Sequence, residues 1–454
     1  MKPRVLKFGG SSVANAACMR QVAKVVRAAL PASPLVVLSA MGKTTDALFR
    51  AGQAAVKGDL DLALTEAAGV FQRTREALRD LLGGQVPVTT AEQVAAMESE
   101  LQLLLRGVAL LRELTPRSMD AIASTGERLS TRVFAAHLER EGVPVTHLDA
   151  REVVRTDGAF GAAAPQQAVI KVLAAERVAP YLGAGRVVVT QGYVGATEDG
   201  TTTTLGRGGS DYSAALLGAA LGADEIQIWT DVEGVLTADP RVVPAARPIK
   251  RLSFAEAAEL AAFGAKVLHP ATVQPAVEAG IPVTVRHTER PEGAFTTITA
   301  EAAATGKPIT ALASRGPITV LTVHSTRMLA QAGFLGRLFE VFGRLGVSVD
   351  LVATAENSVS LTVDARAPLG PLLAELRAFA TIQVAEKRAI VAVVGERLRS
   401  TPRIGARVFG ALEEVNVEMI SMGSSEINLS LVVREEDAAP AVQRLHRAFM
   451  ENGA

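Results

Sequence analysis

Short runs of β-branched residues alternate with longer Ala/Leu-rich stretches through roughly the first 300 residues, and nothing else in the sequence narrows the fold as much. Candidate strands are Arg4–Phe8, Leu35–Ala40, Ala121–Ser124, Val145–Leu148, Arg186–Gln191, Glu225–Thr230 and Pro282–Arg286. Helical patterns such as Ala14–Ala29, Arg128–Glu141 and Ser210–Leu221 lie between them. This alternation predicts an α/β fold, a mostly parallel sheet with helices on both faces. Leu60–Leu114 departs from it, being Ala/Leu/Glu-rich with a break near Gly83–Pro87, and reads as two or more inserted helices.

The units shorten after Pro308, beyond a turn at Glu289–Gly293. Strand Pro317–Val323, helix Gly333–Leu345, strands Val347–Ala353 and Ser358–Asp364, a helix from Leu369 and a strand near Gln383 form one βαββαβ set. Strand Ala389–Val394, helix Ile404–Val415, strands Val417–Ser421 and Ile427–Arg434 and helix Asp437–Met450 form a second. VFGRLGVSVDL and VFGALEEVNVEMI align at an offset of roughly 68 residues, the mark of a duplicated unit. The expected domains are residues 1–300, 315–386, and 301–314 together with 387–454.

Lys+Arg and Asp+Glu each number 47, so no global field recruits nucleic acid or an anionic membrane. Binding must come from a local site. The single Cys18 excludes an internal disulfide and multi-cysteine zinc sites, and suits a reducing compartment. No apolar run reaches the roughly 18 residues of a membrane span, and the N-terminus lacks a signal-peptide core, so a cytoplasmic location is expected.

Four segments carry chemistry. Lys7-Phe8-Gly9-Gly10-Ser11-Ser12 sits where a strand passes into a helix, where glycines admit a ligand to the backbone and a helix start favours an anion. A plain strand–turn–helix link is the alternative. Gly42-Lys43-Thr44 resembles the end of a phosphate-binding Walker loop, but Val37 stands where that motif needs its first glycine, so the reading fails. Ser39 and Thr45 remain hydroxyl donors at a strand's carboxyl end, with a helix cap as the other option for Thr44 or Thr45. Ser124-Thr125-Gly126-Glu127 puts Glu127 in the first turn of a predicted helix, as a dipole partner or as a ligand for an ammonium. Thr201–Asp211 is a Thr/Gly-rich loop with Arg207, Ser210 and Asp211 running into a helix, more than a cap alone requires. Thr230-Asp231 ends a strand, and Arg241 and Lys266 are candidates for nucleotide phosphates, although either charge alone could be solvated surface.

Taken in order, KFGGSSV, SAMGKTTD, STGERLS, TTTLGRGGSDYSAALLGAAL, WTDVEGV, DPRVV and FGAKVLHP resemble the aspartate kinases of the amino-acid-kinase family, and the duplicated units resemble paired, ferredoxin-like ACT domains. The resemblance implies transfer of the γ-phosphoryl group of ATP to the side-chain carboxylate of L-aspartate, with Mg²⁺ bridging the phosphates and no dedicated metal cage. It implies that Lys7 stabilises the moving phosphoryl group, with Gly9 and Gly10 as backbone donors and Asp211 orienting lysine and phosphates. Arg207 would hold the α-carboxylate and Glu127 the α-ammonium, with Ser39, Thr45 and Ser210 completing the pocket. Thr230, Asp231, Arg241 and Lys266 would face the nucleotide. Leu236 stands where relatives often carry an aromatic residue near adenine. Met328, Gly333, Phe334, Ser348, Val349, Asp350 and Glu356 resemble the effector site of lysine-inhibited relatives, the two acids suiting an extra ammonium, although both could be ordinary strand-end surface acids. A homodimer or dimer of dimers through the ACT units is expected, and the chain ends before any appended dehydrogenase domain. The rivals are another kinase of this family, acting on glutamate, acetylglutamate, carbamate or a nucleotide, and a catalytically silent amino-acid sensor. No G-x-G-x-x-G follows the first strand, which argues against a dinucleotide-binding dehydrogenase.

Overall fold

The computed structural model describes residues 2–264, 270–301, 308–325, 333–423 and 425–451. Met1–Val235, Lys250–Phe254 and Val267–Glu301 form one compact unit; Leu236–Ile249, Ala255–Lys266 and Ala302–Ala454 form a second.

The strands of the first unit are β1 (Arg4–Phe8), β2 (Leu35–Leu38), β3 (Val145–Leu148), β4 (Val187–Gln191), β5 (Val194–Ala196), β6 (Thr202–Thr204), β7 (Glu225–Thr230), β8 (Arg251–Ser253), β9 (Val283–His287) and β10 (Thr296–Thr299). Eight of them form a sheet in the order β3-β4-β2-β1-β7-β9-β10-β8, while β5 and β6 pair separately. The run from β3 to β9 is parallel throughout, and β10 turns antiparallel against β9. β1 is central, with Lys7 level with Val37 on one side and Ile228 on the other. β2 and β4 are apolar-rich and buried along their whole length, as strands covered on both faces must be.

The helices that cover this sheet begin with α1 (Ala16–Ala28), α2 (Thr44–Val56), α3 (Leu60–Leu81), α4 (Val88–Leu111) and α5 (Pro116–Arg140). They continue with α6 (Gln167–Arg177), α7 (Ala179–Gly183) and α8 (Gly209–Leu221); α9 (Phe254–Ala262) belongs to the second unit from Ala255 on, and α10 (Pro270–Glu278) to the first. In α1 the Asn15 side chain accepts from the Cys18 N–H at 3.0 Å, and Met19, Val22, Ala23 and Val26 bury one face at helical spacing. The two helices expected over 60–114 are α3 and α4.

Ala121–Ser124 is not a strand but the second turn of α5. This helix starts at Thr115, whose hydroxyl accepts from the Ser118 N–H, with Pro116 at its first position. It packs on β3 and β4 and also against α2, α3 and α4. Ile122, Ala123, Ser124, Thr125, Gly126 and Glu127 are therefore all buried in succession. Burial on every side erases the one-sided period that separates helix from strand. Glu127 consequently lies in mid-helix rather than in a first turn.

The second unit contains β11 (Ala311–His324), β12 (Val352–Thr354), β13 (Ser358–Asp364), β14 (Thr381–Val394), β15 (Met419–Met422) and β16 (Asn428–Arg434), with α11 (Phe334–Arg344), α12 (Leu369–Leu376), α13 (Ile404–Ala411) and α14 (Glu435–His446). The strand order is β12-β13-β11-β14-β16-β15. The strands expected separately near Gln383 and over Ala389–Val394 are a single β14. Polar Glu386–Arg388 reads as a break, but Lys387 takes it up as an irregularity at φ 55° and the ladder resumes. Each βαββαβ copy thus shares β11 and β14 with the other: β13 pairs with the later half of β11, and β16 with the later half of β14.

Ala238 and Val243 are buried in one apolar cluster with Val391, Leu431, Val442 and Leu445. Thr237 Oγ1 bonds His446 Nε2 at 2.9 Å, and Gln443 donates to the Val242 carbonyl at 2.8 Å. Residues 236–249 are therefore core material of the second unit although they precede most of it in the chain. Val243→Asp should cost on the order of several kcal/mol by placing a carboxylate in that cluster. A lowered denaturant midpoint by circular dichroism checks this.

Candidate active site

The site is built where β1, β2 and α8 meet. At the end of β1 the chain turns through Gly9 and Gly10. A side chain at Gly10 would meet the carbonyl oxygens of Ala40 and Gly42 at 3.0 and 3.1 Å, so only glycine lets the two strand-end loops close on each other. The Gly42 N–H donates to the Gly10 carbonyl at 3.0 Å and fixes that approach. α8 begins after Gly208, at φ 73°, which turns the loop into the helix and sets Asp211 in the first turn. Asp211 Oδ1 lies 2.6 Å from Lys7 Nζ, and both side chains are largely buried. Ser39 Oγ donates to Ser210 Oγ at 2.9 Å, tying the end of β2 to the start of the same helix.

Glu127 enters from α5. Gly126 lets the helix in, since a Cβ there would sit 2.8 Å from the Ala40 methyl. Glu127 is 3% exposed; its Oε1 accepts from the Ala40 N–H at 3.2 Å, and Oε2 is buried with no hydrogen-bond partner. Burial away from any cation pushes its carboxyl up to about 8. Below it, Thr131 bonds His147, whose imidazole burial pulls down to about 4.

Lys7, Gly10, Ser39, Thr45, Glu127, Arg207, Ser210 and Asp211 line one cleft of about 570 Å³. Sequence reasoning missed Tyr193, Lys43, Asp46 and Phe49 on the same walls. Tyr193 is held at φ 69°, uncommon for an aromatic residue, with its N–H bonded to Ser213 Oγ at 2.9 Å. The signal was the Gly192-Tyr193 pair directly after buried β4. Thr230 and Asp231 are not in this cleft; they line a second one of about 460 Å³ with Ser11, Ser12, Cys18, His287 and Glu289. Leu236 and Arg241 belong to the second unit, where Arg241 is exposed and paired with Asp239 at 2.6 Å. Lys266 and Met328 lie outside the described residues. No group of three His, Cys, Asp or Glu side chains among the described residues is placed to hold a metal ion, and no described helix is long and apolar enough to cross a membrane.

The amino acid kinase family matches residues 2–287, and an ACT domain matches residues 391–449. The lysine-sensitive aspartokinase 3 of Escherichia coli is 40% identical, the match covering 98% of this chain and 99% of that one. Aspartokinase 1 of Arabidopsis thaliana chloroplasts is also 40% identical, across 99% of this chain and 80% of the relative. The chain belongs to the aspartokinases. Its structure is similar to E. coli aspartokinase III in complex with lysine and aspartate, at TM-score 0.84 and 40% identity, covering 99% of this chain and 100% of that one. It is likewise similar to the same enzyme with aspartate and ADP, at TM-score 0.83 and 39% identity, covering 98% and 99%.

In this aspartokinase the expected effector residues are dispersed. Asp350 precedes β12 and Glu356 follows it, so an extended strand holds the two acids apart by on the order of 15–20 Å. They do not meet at one ammonium within a chain. Asp350 Oδ1 instead accepts from Arg315 at 2.8 Å, and its Oδ2 is buried without a hydrogen-bond partner. Phe334 packs inward, edge-on to Phe379, at the start of α11, while Gly333 and Ser348 are exposed. Val349 is half-buried against the same core.

The raised carboxyl of Glu127 has a thermodynamic consequence for the empty protein. Between the ordinary carboxylate range and about pH 8 the folded chain holds a proton that the unfolded chain releases, so this residue's contribution falls as pH rises through that window. Glu127→Gln should remove the loss, and its melting temperature should exceed that of the parent more at pH 8.5 than at pH 6. Differential scanning calorimetry at the two pH values tests this.

Proposed function

We infer that the chain phosphorylates the side-chain carboxylate of L-aspartate with ATP, and that the cleft at β1, β2 and α8 is where it does so. The observation that carries this reading is one cleft holding a lysine–aspartate pair beside an arginine and a buried carboxyl with an unused oxygen. Donor and acceptor are both anionic, so charge neutralisation and alignment dominate the barrier. Lys7, oriented by Asp211, would meet the transferring phosphoryl group. Gly10 would offer an N–H donor across a surface bare of side chains, whereas the Gly9 N–H is taken by the Trp229 carbonyl at 3.3 Å. Arg207 and Glu127 would take the α-carboxylate and α-ammonium, which favours a free α-amino acid over acetylated or nucleotide acceptors. Ser39, Thr45 and Ser210 would border the acceptor carboxylate. Thr230 and Asp231 would stand on the nucleotide side. Mg²⁺ would arrive with the nucleotide, held by phosphate oxygens and water. The location would be cytoplasmic.

We read the second unit as two ACT copies, 315–386 and 301–314 with 387–454, that bring feedback inhibition by lysine. A buried Asp350 oxygen left over beside Arg315 suits an incoming ammonium. With Asp350 and Glu356 apart in one chain, a homodimer or dimer of dimers would supply the remaining contacts.

Hydroxamate trapping of acyl phosphate should give product with aspartate and not with glutamate or acetylglutamate. Lys7→Ala and Asp211→Ala should each lower kcat by about 100- to 1,000-fold with unchanged circular dichroism. Near-parent turnover removes the residue from the mechanism. Asp350→Ala should shift the lysine inhibition curve to higher concentration and leave uninhibited turnover intact; superimposed titrations reject its role.

A further inference from the structure

Three carboxylates line the cleft. Asp46 is exposed and Asp211 is paired with Lys7, whereas Glu127 is buried with a single backbone donor. We propose that aspartate binding is coupled to the loss of a proton from Glu127: the empty cleft holds this carboxyl neutral, and the substrate's ammonium supplies the charge that lets it ionise. The inference rests on the reading of the chain as an aspartate kinase and concerns its acceptor subsite.

Burying an ionised carboxylate with one oxygen unbonded is expensive, and the neutral acid avoids that cost. Every neighbouring element leaves Glu127 uncompensated. From β1 and α8, Lys7 and Asp211 satisfy each other. Lys43, ahead of α2, and Asp46, in its first turn, are exposed, as is Arg207 ahead of α8. Tyr193, from the β4–β5 turn, is a neutral phenol that burial pushes up to about 12. On α5 itself Asp120 is bonded to Gly161 and Thr204, and Arg128 pairs with Glu100. His147, behind Thr131, is neutral. No cation among the described residues lies within ion-pair distance of Glu127, and none contributes to its raised carboxyl. An ammonium against Oε2 changes that balance. The carboxyl ionises and its proton passes to buffer, with the substrate's own charge unchanged. Recognition then discriminates by charge: a neutral amide at the acceptor's nitrogen, as in an acylated amino acid, cannot draw the proton off.

The test is calorimetric titration of L-aspartate into the full chain saturated with a non-hydrolysable ATP analogue and Mg²⁺. It is run at pH 7 in buffers of low and high ionisation enthalpy and repeated at pH 8.5. The expected result is release of most of a proton per site at pH 7, shrinking to a small fraction at pH 8.5, where the substrate's ammonium is still charged. The KM for aspartate should rise about tenfold per pH unit below 8, with kcat unaffected by this group. Glu127→Gln should bind more weakly and release no proton. Buffer-independent heat at pH 7, or release that persists in Glu127→Gln, overturns the coupling while aspartate turnover stands. Absence of both binding heat and acyl phosphate with the parent chain overturns the kinase reading as well.

Discussion

The contact between Lys7 and Asp211 organises the catalytic unit. It joins the end of the central strand to the start of a helix far along the chain, and it can form only because backbone groups come unusually close. Gly10 lets the β1 loop touch the β2 loop, and Gly208 turns the approaching segment into α8. The ion pair is largely removed from water, where it is strongly directional and costly to leave half-made. An anionic ligand arriving at that point meets a lysine already aimed, rather than one that must be ordered on binding.

Most of the architecture is legible in the sequence because the parallel strands are short apolar runs between long helical patterns. The juxtaposition of Lys7 with Arg207–Asp211 is implied by the resemblance to aspartate kinases; the glycines at strand ends and helix starts mark only where backbone must yield to a ligand. Two features are not legible. α5 hides as a strand at Ala121–Ser124 because burial on all sides removes its periodicity. β14 hides as two strands because Glu386–Arg388 has the polarity of a turn, although Lys387 merely distorts the ladder. Local pattern reports exposure, and it misleads where exposure and secondary structure part company. The effector residues show another limit. The resemblance to lysine-inhibited relatives implies that Asp350 and Glu356 share a ligand, but the strand between them is extended.

Glu127 illustrates the tension between stability and function. A carboxyl with an unused oxygen in an apolar wall weakens the folded state at neutral and higher pH, and an amide or an alkyl group would fit more comfortably. Its place in the cleft makes sense if the missing partner is supplied by substrate. Gly126 belongs to the same arrangement, since the absence of its side chain is what allows α5 to bring the carboxyl to the wall of the cleft.

The routing of the chain has a practical consequence. Residues 236–249 leave the catalytic unit, close the apolar cluster around Val391 and Leu431, and return before β8. The second unit is thus not an appendage that a single scissile bond could detach. Cutting the gene after Glu301 would strand Ala238 and Val243 without the cluster that shelters them. A chain altered in its second unit must therefore be sought through side-chain replacement within the intact polypeptide, not through shortening it.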